Sequence, residues 1–418
     1  MRILYFSPRD CWPATTGARL RDFYFAKELT RDAQLTYLGF ETSDRASGPI
    51  RRTRLDELGG AEVILVPRRE GYSPGNLLSG LVGRVPVSVL NYYSPIMAAE
   101  LKRLLQSNRF DLVQMEGVHL SSYLDLLRAG PKAPRLISDW HNIESELMAR
   151  YAEQQSLPRR LYAQHTARLL RGMEDQLLRR ADAHTVCSER EKQLLVARVP
   201  SARIEVLGNG VDVEGFTDKA LEEACRRYPL LGRYDGPRTK VLFVGSMNYH
   251  ANIDAALYCA QEIWPLISKA RPELGFVIAG SRPVPEVVAL GNESGIQVTG
   301  TVGDVRPFYR SAAAVVIPAR VGSGTRLKAL EAMAAGVPVV STTLGVEGLN
   351  ATPGRDVIVA DTPSAFAAAV SNLDPHSAQW RLLSEAGRRF VAEHYDWRSL
   401  GRILRDLHSE QVRAGEAV

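Results

Sequence analysis

Residues 321–342 read VGSGTRLKALEAMAAGVPVVST, a glycine-rich turn that runs into strong helix formers and is stopped by Gly336, Val337 and Pro338. The turn follows the apolar run AAVVIP at 313–318, so it feeds a helix N-terminus from the end of a strand. Such a terminus carries unsatisfied N–H groups and about half a positive charge, which suits a diphosphate. Arg326 and Lys328 fall in the first turn and add cations. Glu331, one turn further, can accept hydrogen bonds from ribose hydroxyls. Taken alone, Lys328 and Glu331 could equally form an exposed i,i+3 pair worth about 0.2–0.5 kcal/mol. The turn is not a triphosphate P-loop, because the closing Gly-Lys-Ser/Thr is missing. The chain also has no Gly-x-Gly-x-x-Gly after a strand, which argues against a nicotinamide dehydrogenase.

Three constellations in the first half could also do chemistry. The loop SPRDCWPATTGARLRDF (7–23) opens onto a helix; Gly17 would let the backbone approach a phosphate or an acceptor, and Arg19 or Arg21 could reach an anion. QMEGVHL (114–120) puts Glu116 at a strand end and His119 three residues later, either of which could face a reacting group. SDWHNIESELMARYA (138–152) brings Asp139, His141 and Asn142, with Glu144, to the end of another strand, an arrangement suited to acceptor recognition. Asn142 as a helix N-cap, with Glu144 in the first turn, is an equal alternative. No pair among these has metal-ligand spacing, there is no Asp-x-Asp, and Cys11, Cys187, Cys225 and Cys259 are scattered. No metal is expected.

The elements that must position these groups alternate throughout. RILYFS (2–7), AEVILVP (61–67), DLVQME (111–116) and RLISDW (135–140) read as strands, with helical stretches from near Ala18 and at 96–107. IEVLGNGVD (204–212) ends this half at an Asn-Gly turn, where a hinge is expected. The rhythm restarts with TKVLFVG (239–245), a helix around 252–268, LGFVIAG (274–280), GIQVTG (295–300), AAVVIP, VPVVST (337–342) and DVIVA (356–360). Helices near 363–373 and 376–394 and a tail with Trp397 close the chain. This predicts an α/β protein of two Rossmann-like doubly wound domains facing across a cleft, with ligands beyond the carboxyl ends of the strands.

The 418 residues are enough for two domains, and 45% hydrophobic with 24% charged residues is a globular composition. The longest apolar runs, such as AAAVVIPA (312–319), fall short of the roughly 20 residues that span a bilayer. MRILYFSPRD has neither the apolar core nor the cleavage site of a secretory signal, so a cytoplasmic place is expected. A net charge of +5 does not point to nucleic acid. The stretch LPRRLYAQHTARLLRGMEDQLLRR, ending at Arg180, carries six arginines among leucines, which fits either a solvated helix face or peripheral contact with the inner face of a membrane.

LEAMAAGVPVVSTTLGVEGL resembles the donor-site block of the retaining glycosyltransferases of family 4, also called group 1, which have the GT-B fold. The likeness covers nearly the whole chain: TTGAR (15–19) resembles the N-terminal glycine loop, GNGVD (208–212) the interdomain linker, and VGSMNYHANIDAAL (244–257), IAGS (278–281) and VTGTVGDVRPFYRSAAAVVIP (298–318) follow in the family's order. Two departures stand out. Many members have two glutamates seven residues apart; Glu331 matches the second, and the first falls on Ser323. Many also carry an Arg and a Lys after the first strand of the second domain, where this chain has SMNYHANID. Arg326 and Lys328 would then take over the cationic role. A Met-x-Tyr loop paired with a Gly-Thr-Arg-Leu-Lys turn resembles transferases of bacterial surface-polysaccharide synthesis.

The resemblance implies an acceptor domain over 1–210, with a tail from about 395 to 418 packing back on it, and a nucleotide-sugar domain over 211–394. It implies a donor site of Gly17, Gly245, Ser246, Gly300, Val302, Ser323, Gly324, Thr325 and Glu331. Arg326, Lys328, Glu116 and His119 would serve catalysis, and Arg19, Asp139, His141 and Asn142 the acceptor. The expected reaction is metal-independent transfer, with retention, from a nucleotide sugar to a hydroxyl of a glycan or lipid-linked acceptor. No cofactor is expected, and a UDP-sugar is favoured over a GDP-sugar. A nucleotide-sugar epimerase of the same fold and a binding protein without catalysis are the alternatives.

Overall fold

The computed structural model describes residues 1–14, 16–43, 48–69, 80, 83, 85–153, 155–228, 238–321 and 327–416. Its contacts divide the chain into two units. The first comprises Met1–Gly208 and Leu400–Val418, and the second Asn209–Ser399.

Eight strands form the sheet of the first unit: β1 (Arg2–Phe6), β2 (Gln34–Ser43), β3 (Arg51–Leu55), β4 (Ala61–Arg69), β5 (Leu112–Glu116), β6 (Arg135–Trp140), β7 (Ala183–Val186) and β8 (Ile204–Val206). Their order is β3-β4-β2-β1-β5-β6-β7-β8, parallel except for the antiparallel edge strand β3. The chain goes outward from β1 and then returns to β5 on its other side, so the switch point lies between β1 and β5. Sheets of this kind bind ligands beyond the carboxyl ends at that point. Ser7, Arg9 and Glu116 sit there.

The second unit has a six-stranded parallel sheet: β9 (Lys240–Val244), β10 (Gly275–Ala279), β11 (Ile296–Val298), β12 (Ala312–Ile317), β13 (Val339–Ser341) and β14 (Ile358–Val359), in the order β11-β10-β9-β12-β13-β14. Its switch point falls between β9 and β12. Both faces are covered: Val241 and Phe243 enter one apolar cluster, Leu242 and Val244 the other. Burial on both faces is why these strands read as continuous apolar runs. Together the units are two parallel-sheet α/β domains.

Four strands carry no such run; one of them, β8, is only IEV. β3, RRTRL, is a mostly exposed polar edge, β7 is only AHTV, and β2 mixes polar and apolar residues. The basic stretch is a helix over Arg159–Arg180, paired with the preceding helix Glu144–Glu153, and the tail is a helix over Trp397–Glu416. From Leu400 on that helix belongs to the first unit, where Arg405 pairs with Glu28 at 2.6 Å and His408 Nε2 lies 2.9 Å from Gln114 Oε1.

The helix Gly17–Leu29 is capped by Thr16, whose hydroxyl accepts from the Arg19 amide. It carries three ionisable residues inward, Arg21, Asp22 and Glu28, the last of these paired with Arg405. Arg21 donates to both carboxylate oxygens of Asp139 on β6, at 2.8 and 2.6 Å, and to the Gly208 carbonyl at 3.0 Å. Both partners of the ion pair are fully buried. Removing one partner leaves a buried charge without compensation, which costs roughly 3–5 kcal/mol. Arg21→Ala should therefore lower stability in urea unfolding by about that amount. A loss below about 1 kcal/mol would show that solvent already reaches the pair.

Candidate functional site

The first unit gathers charge at its switch point. Ser7 and Arg9 follow β1, Asp22 comes from the helix Gly17–Leu29, Glu116 ends β5, and Asp139 and His141 come from the end of β6. The Ser7 hydroxyl and Arg9 Nη1 donate to Asp22 Oδ2 at 2.7 and 3.0 Å. His141 Nε2 stands 3.2 Å from Asp22 Oδ1, 3.1 Å from Glu116 Oε2 and 3.1 Å from Arg9 Nη1. Asp22, Glu116 and Asp139 are fully buried, whereas His141 and Arg9 keep 15% and 28% of their side-chain surface exposed. These two cationic groups are what a ligand can touch.

Burial and the charge of Asp139 push the Glu116 carboxyl up to about 7. Burial works against the imidazolium of His141, but contacts with Asp22 and Glu116 outweigh it and lift His141 to about 9. Burial also opposes ionisation of Asp22 and Asp139, and it is overcome by Arg9 and Arg21 respectively, so both stay below the ordinary carboxylate range. At neutral pH the cluster thus shows cations outward over buried carboxylates. Asp22, Glu116 and His141 offer three ligand atoms within 4.8 Å of one another, a donor set that could take a divalent metal. The Arg9 guanidinium already stands among them as the compensating cation.

The other expectations in this unit fall differently. Asp139 does not face an acceptor: Arg21 and the Thr185 hydroxyl occupy its oxygens. Glu116 has no exposed surface and reaches outward only through His141. Arg19 pairs with Asp10 at 2.6 Å, beside the half-buried Gly17 that starts the helix. His119 is held against Tyr92, and burial together with the charge of Arg9 lowers it to about 4, so it is neutral. Asn142 is exposed, and the helix begins at Glu144. Arg9 and Asp22 were missed because nothing local in the sequence says that a helix's second turn will bury an aspartate.

In the second unit the candidate residues meet at the carboxyl ends of β9 to β12. Gly245 and Gly280 end β9 and β10 so closely that a Cβ on Gly280 would lie 1.6 Å from the Gly245 carbonyl oxygen. Ser246 Oγ stands 3.2 Å from Ser281 Oγ. Asn252, unnoticed in the sequence, joins two elements: it donates to the Ser246 carbonyl at 3.0 Å and accepts from Lys328 Nζ at 2.7 Å. Lys328 also lies 4.5 Å over the Phe243 ring. Glu331 accepts from the Tyr309 hydroxyl at 2.8 Å, and burial raises its carboxyl to about 7 against the lowering effects of Tyr309 and Lys328. Gly300 has φ +68° with open space around it, and Val302 packs on the core. Ser323, Gly324, Thr325 and Arg326 lie outside the described residues.

Residues 52–214 match the family described as Glycosyltransferase Family 4, and residues 238–374 the family described as Glycosyl transferases group 1. An uncharacterised 44.6 kDa protein of the cps region of Klebsiella pneumoniae is 24% identical over 39% of this chain and 44% of its own length. A D-inositol 3-phosphate glycosyltransferase of Salinispora tropica is 26% identical over 57% of this chain and 53% of its own. The chain thus spans about half the length of the curated relatives it matches. Among solved structures, sucrose-phosphate synthase of Thermosynechococcus elongatus superposes with a TM-score of 0.67 at 15% identity, over 99% of this chain and 100% of its own. Anabaena HepE, solved with UDP and glucose, does so with 0.63 at 14%, over 98% and 100%.

The shifted groups give stability a definite pH dependence. Glu116 rises from 4.5 to about 7 and Glu331 does the same, so folding binds their protons and stability falls as pH climbs between those values. His141 rises from 6.5 to about 9, so its contribution is full below 6.5 and is lost as pH passes through 9. Chemical unfolding from pH 5 to 9.5 should show this decline. Glu116→Gln should flatten its lower part and His141→Gln its upper part; profiles parallel to the parent's would mean these groups do not titrate there.

Proposed function

The chain belongs to family 4, or group 1, of the glycosyltransferases, with the GT-B fold, and we propose that it moves a sugar, with retention, from a nucleoside diphosphate to a hydroxyl of a glycan or lipid-linked acceptor. The observation that carries this is the grouping of Gly245, Ser246, Asn252, Lys328 and Glu331 at the second unit's switch point. Glu331, positioned by Tyr309, takes the ribose hydroxyls. Lys328 and Arg326 neutralise the diphosphate as the bond to the sugar breaks, with backbone at Gly300–Val302 against the base. The leaving phosphate takes the acceptor proton on the face it leaves, and the fixed cations stand in for a metal on the diphosphate. Stabilisation of developing charge by fixed cations is the main source of rate.

The first unit takes the acceptor through His141 and Arg9, with Glu116 and Asp22 positioning the imidazole. UDP is favoured as the nucleotide, in keeping with the UDP bound to HepE. The cps-region relative supports a role in surface polysaccharide synthesis.

Calorimetry and coupled assays test this. Glu331→Ala should weaken UDP binding by roughly tenfold to a hundredfold, since it removes hydrogen bonds to a charged group. Lys328→Ala should lower kcat by about 10²–10³. UDP should be released from a UDP-sugar only when acceptor is present, and undiminished by EDTA. Unchanged UDP affinity in Glu331→Ala sinks the ribose assignment. Epimerised sugar without acceptor would favour an epimerase, and collapse in EDTA would show that a divalent cation takes part.

A lipid-linked acceptor has support in the helical pair of the first unit. Among the described residues no helix is long and apolar enough to cross a membrane. At the start of the helix Arg159–Arg180, however, Leu157 and Leu161 are 67% and 60% exposed, with Tyr151 alongside at 48%. Arg159, Arg160 and Arg168 are exposed around them and have no ion-pair partner among the described residues. Apolar side chains ringed by cations suit an anionic bilayer, each arginine adding about 1 kcal/mol near the surface. The full chain should sediment with vesicles containing phosphatidylglycerol and not with pure phosphatidylcholine. Leu157→Asp with Leu161→Asp should reduce this at least tenfold; equal sedimentation of the variant would exclude the tip as the contact.

A further inference from the structure

The amino-terminal end of the second sheet holds a site that the transfer reaction does not use. A cavity of about 410 Å³ opens there, lined by Arg238, Arg310, Arg381 and Arg388 with Glu222 and Glu385. Arg238 lies two residues before β9 begins, Arg310 ends the helix Arg306–Ser311 that leads into β12, and Arg381 and Arg388 come from the helix Ala378–His394. All four therefore stand at the amino ends of strands whose carboxyl ends carry the donor residues.

The positive charge is only partly balanced. Arg388 is paired with Asp218 at 2.7 Å, and Arg310 stands 3.8 Å from Glu222. Neither Arg238 nor Arg381 has an ion-pair partner among the described residues. Arg238 donates to the carbonyls of Tyr309 and Ala312 at 3.1 and 3.0 Å and lies over the Trp380 ring. Burial and the neighbouring charges of Arg310 and Arg388 lower Arg238 to about 10, the sign of a cation among cations. An anion would relieve this.

The cavity also says which anion. Its volume is that of a small-molecule pocket, more than a bare phosphate ion needs. Glu222 and Glu385 repel a polyanion but accept from hydroxyls. Trp380 is 7% exposed, its N–H is held by the Ala313 carbonyl and Arg238 covers its ring, so no open aromatic face awaits a base. We propose that this cavity binds a sugar monophosphate, its phosphate held by Arg238, Arg310 and Arg381 and its hydroxyls by Glu222 and Glu385.

Two paths, one hydrogen-bonded and one along the chain, lead from this cavity to the proposed donor end. The Tyr309 carbonyl accepts from Arg238 while its hydroxyl donates to Glu331. Gly336, in the cavity wall, closes the segment whose helix Leu327–Ala334 carries Lys328 and Glu331. Occupancy is therefore expected to change UDP affinity, and UDP to change the sugar phosphate's affinity by the same factor. This consequence rests on the donor-site reading; binding itself does not.

Calorimetry on the full chain tests the site, with glucose 6-phosphate, glucose and inorganic phosphate as probes and UDP titrated separately. Glucose 6-phosphate should bind one per chain, more tightly than phosphate, and glucose should not bind. Arg381→Ala and Arg310→Ala should each weaken it roughly tenfold or more while UDP still binds, and Lys328→Ala should leave it intact. Several results overturn the proposal: no heat with glucose 6-phosphate, equal affinity for phosphate, or loss in Lys328→Ala with retention in Arg381→Ala. Failure of UDP to bind any form of the chain would overturn the donor reading instead.

Discussion

The buried ion pair between Arg21 and Asp139 is the constraint on which the first unit's site depends. Three carboxylates converge at the switch point, and ions out of water are tolerated only with close opposite charge and hydrogen bonds. Arg21 satisfies both oxygens of Asp139 and ties the helix Gly17–Leu29 to β6 and to the Gly208 carbonyl. That fixes the helix, and with it Asp22, one residue on. Asp22 then needs its own cations, Arg9 and His141, and His141 in turn stands over Glu116. The partly exposed charge of Arg9 and His141 is thus the top of a stack whose base is fully buried. Gln114 continues it from below, donating to Glu116 Oε1 while its own oxygen faces His408 of the C-terminal helix.

The second unit solves a different problem with different means. Among the described residues, the carboxyl ends of β9 and β10 rely on close backbone approach and neutral dipoles: the Gly245–Gly280 contact, the serine pair and the Asn252 amide. Asn252 follows the loop after β9, which carries neither an Arg nor a Lys. Its amide ties the loop after β9 to Lys328, so the cation reaches that loop from the helix Leu327–Ala334. A primary amide can do this because it donates and accepts at once.

Most of the fold was legible because strands buried on both faces must be apolar, and ten of them announce themselves so: β1, β4, β5, β6, β9, β10, β11, β12, β13 and β14. The exceptions follow from the same rule. β3 buries almost nothing, and the four residues of β7 hold a histidine and a threonine that the interior satisfies with hydrogen bonds. The strand ends that carry chemistry were legible too, since Glu116, Asp139 and His141 are polar residues closing apolar runs. Their pairing was not. Asp139 reads as a ligand-facing group until Arg21, 118 residues away, is seen to occupy it. Arg9 and Asp22 read as ordinary loop and helix residues because their partners come from other strands.

Glu331 shows how far position and environment must be taken together. As one of a Lys–Glu pair at i,i+3 it could have been a solvated ornament of a helix, but its neighbours are Tyr309 and a buried surrounding that holds the carboxyl near 7. A carboxyl there is poised between accepting from hydroxyls and donating to one, a state that a surface pair in water does not reach. Tyr309 is itself fully buried, and its backbone carbonyl is fixed by Arg238, just before β9. The Glu331 carboxyl therefore takes its orientation from a side chain whose own backbone is anchored by Arg238. On the coupling proposed above, a change in the charge around Arg238 would act through this one residue, with no large movement of the sheet required.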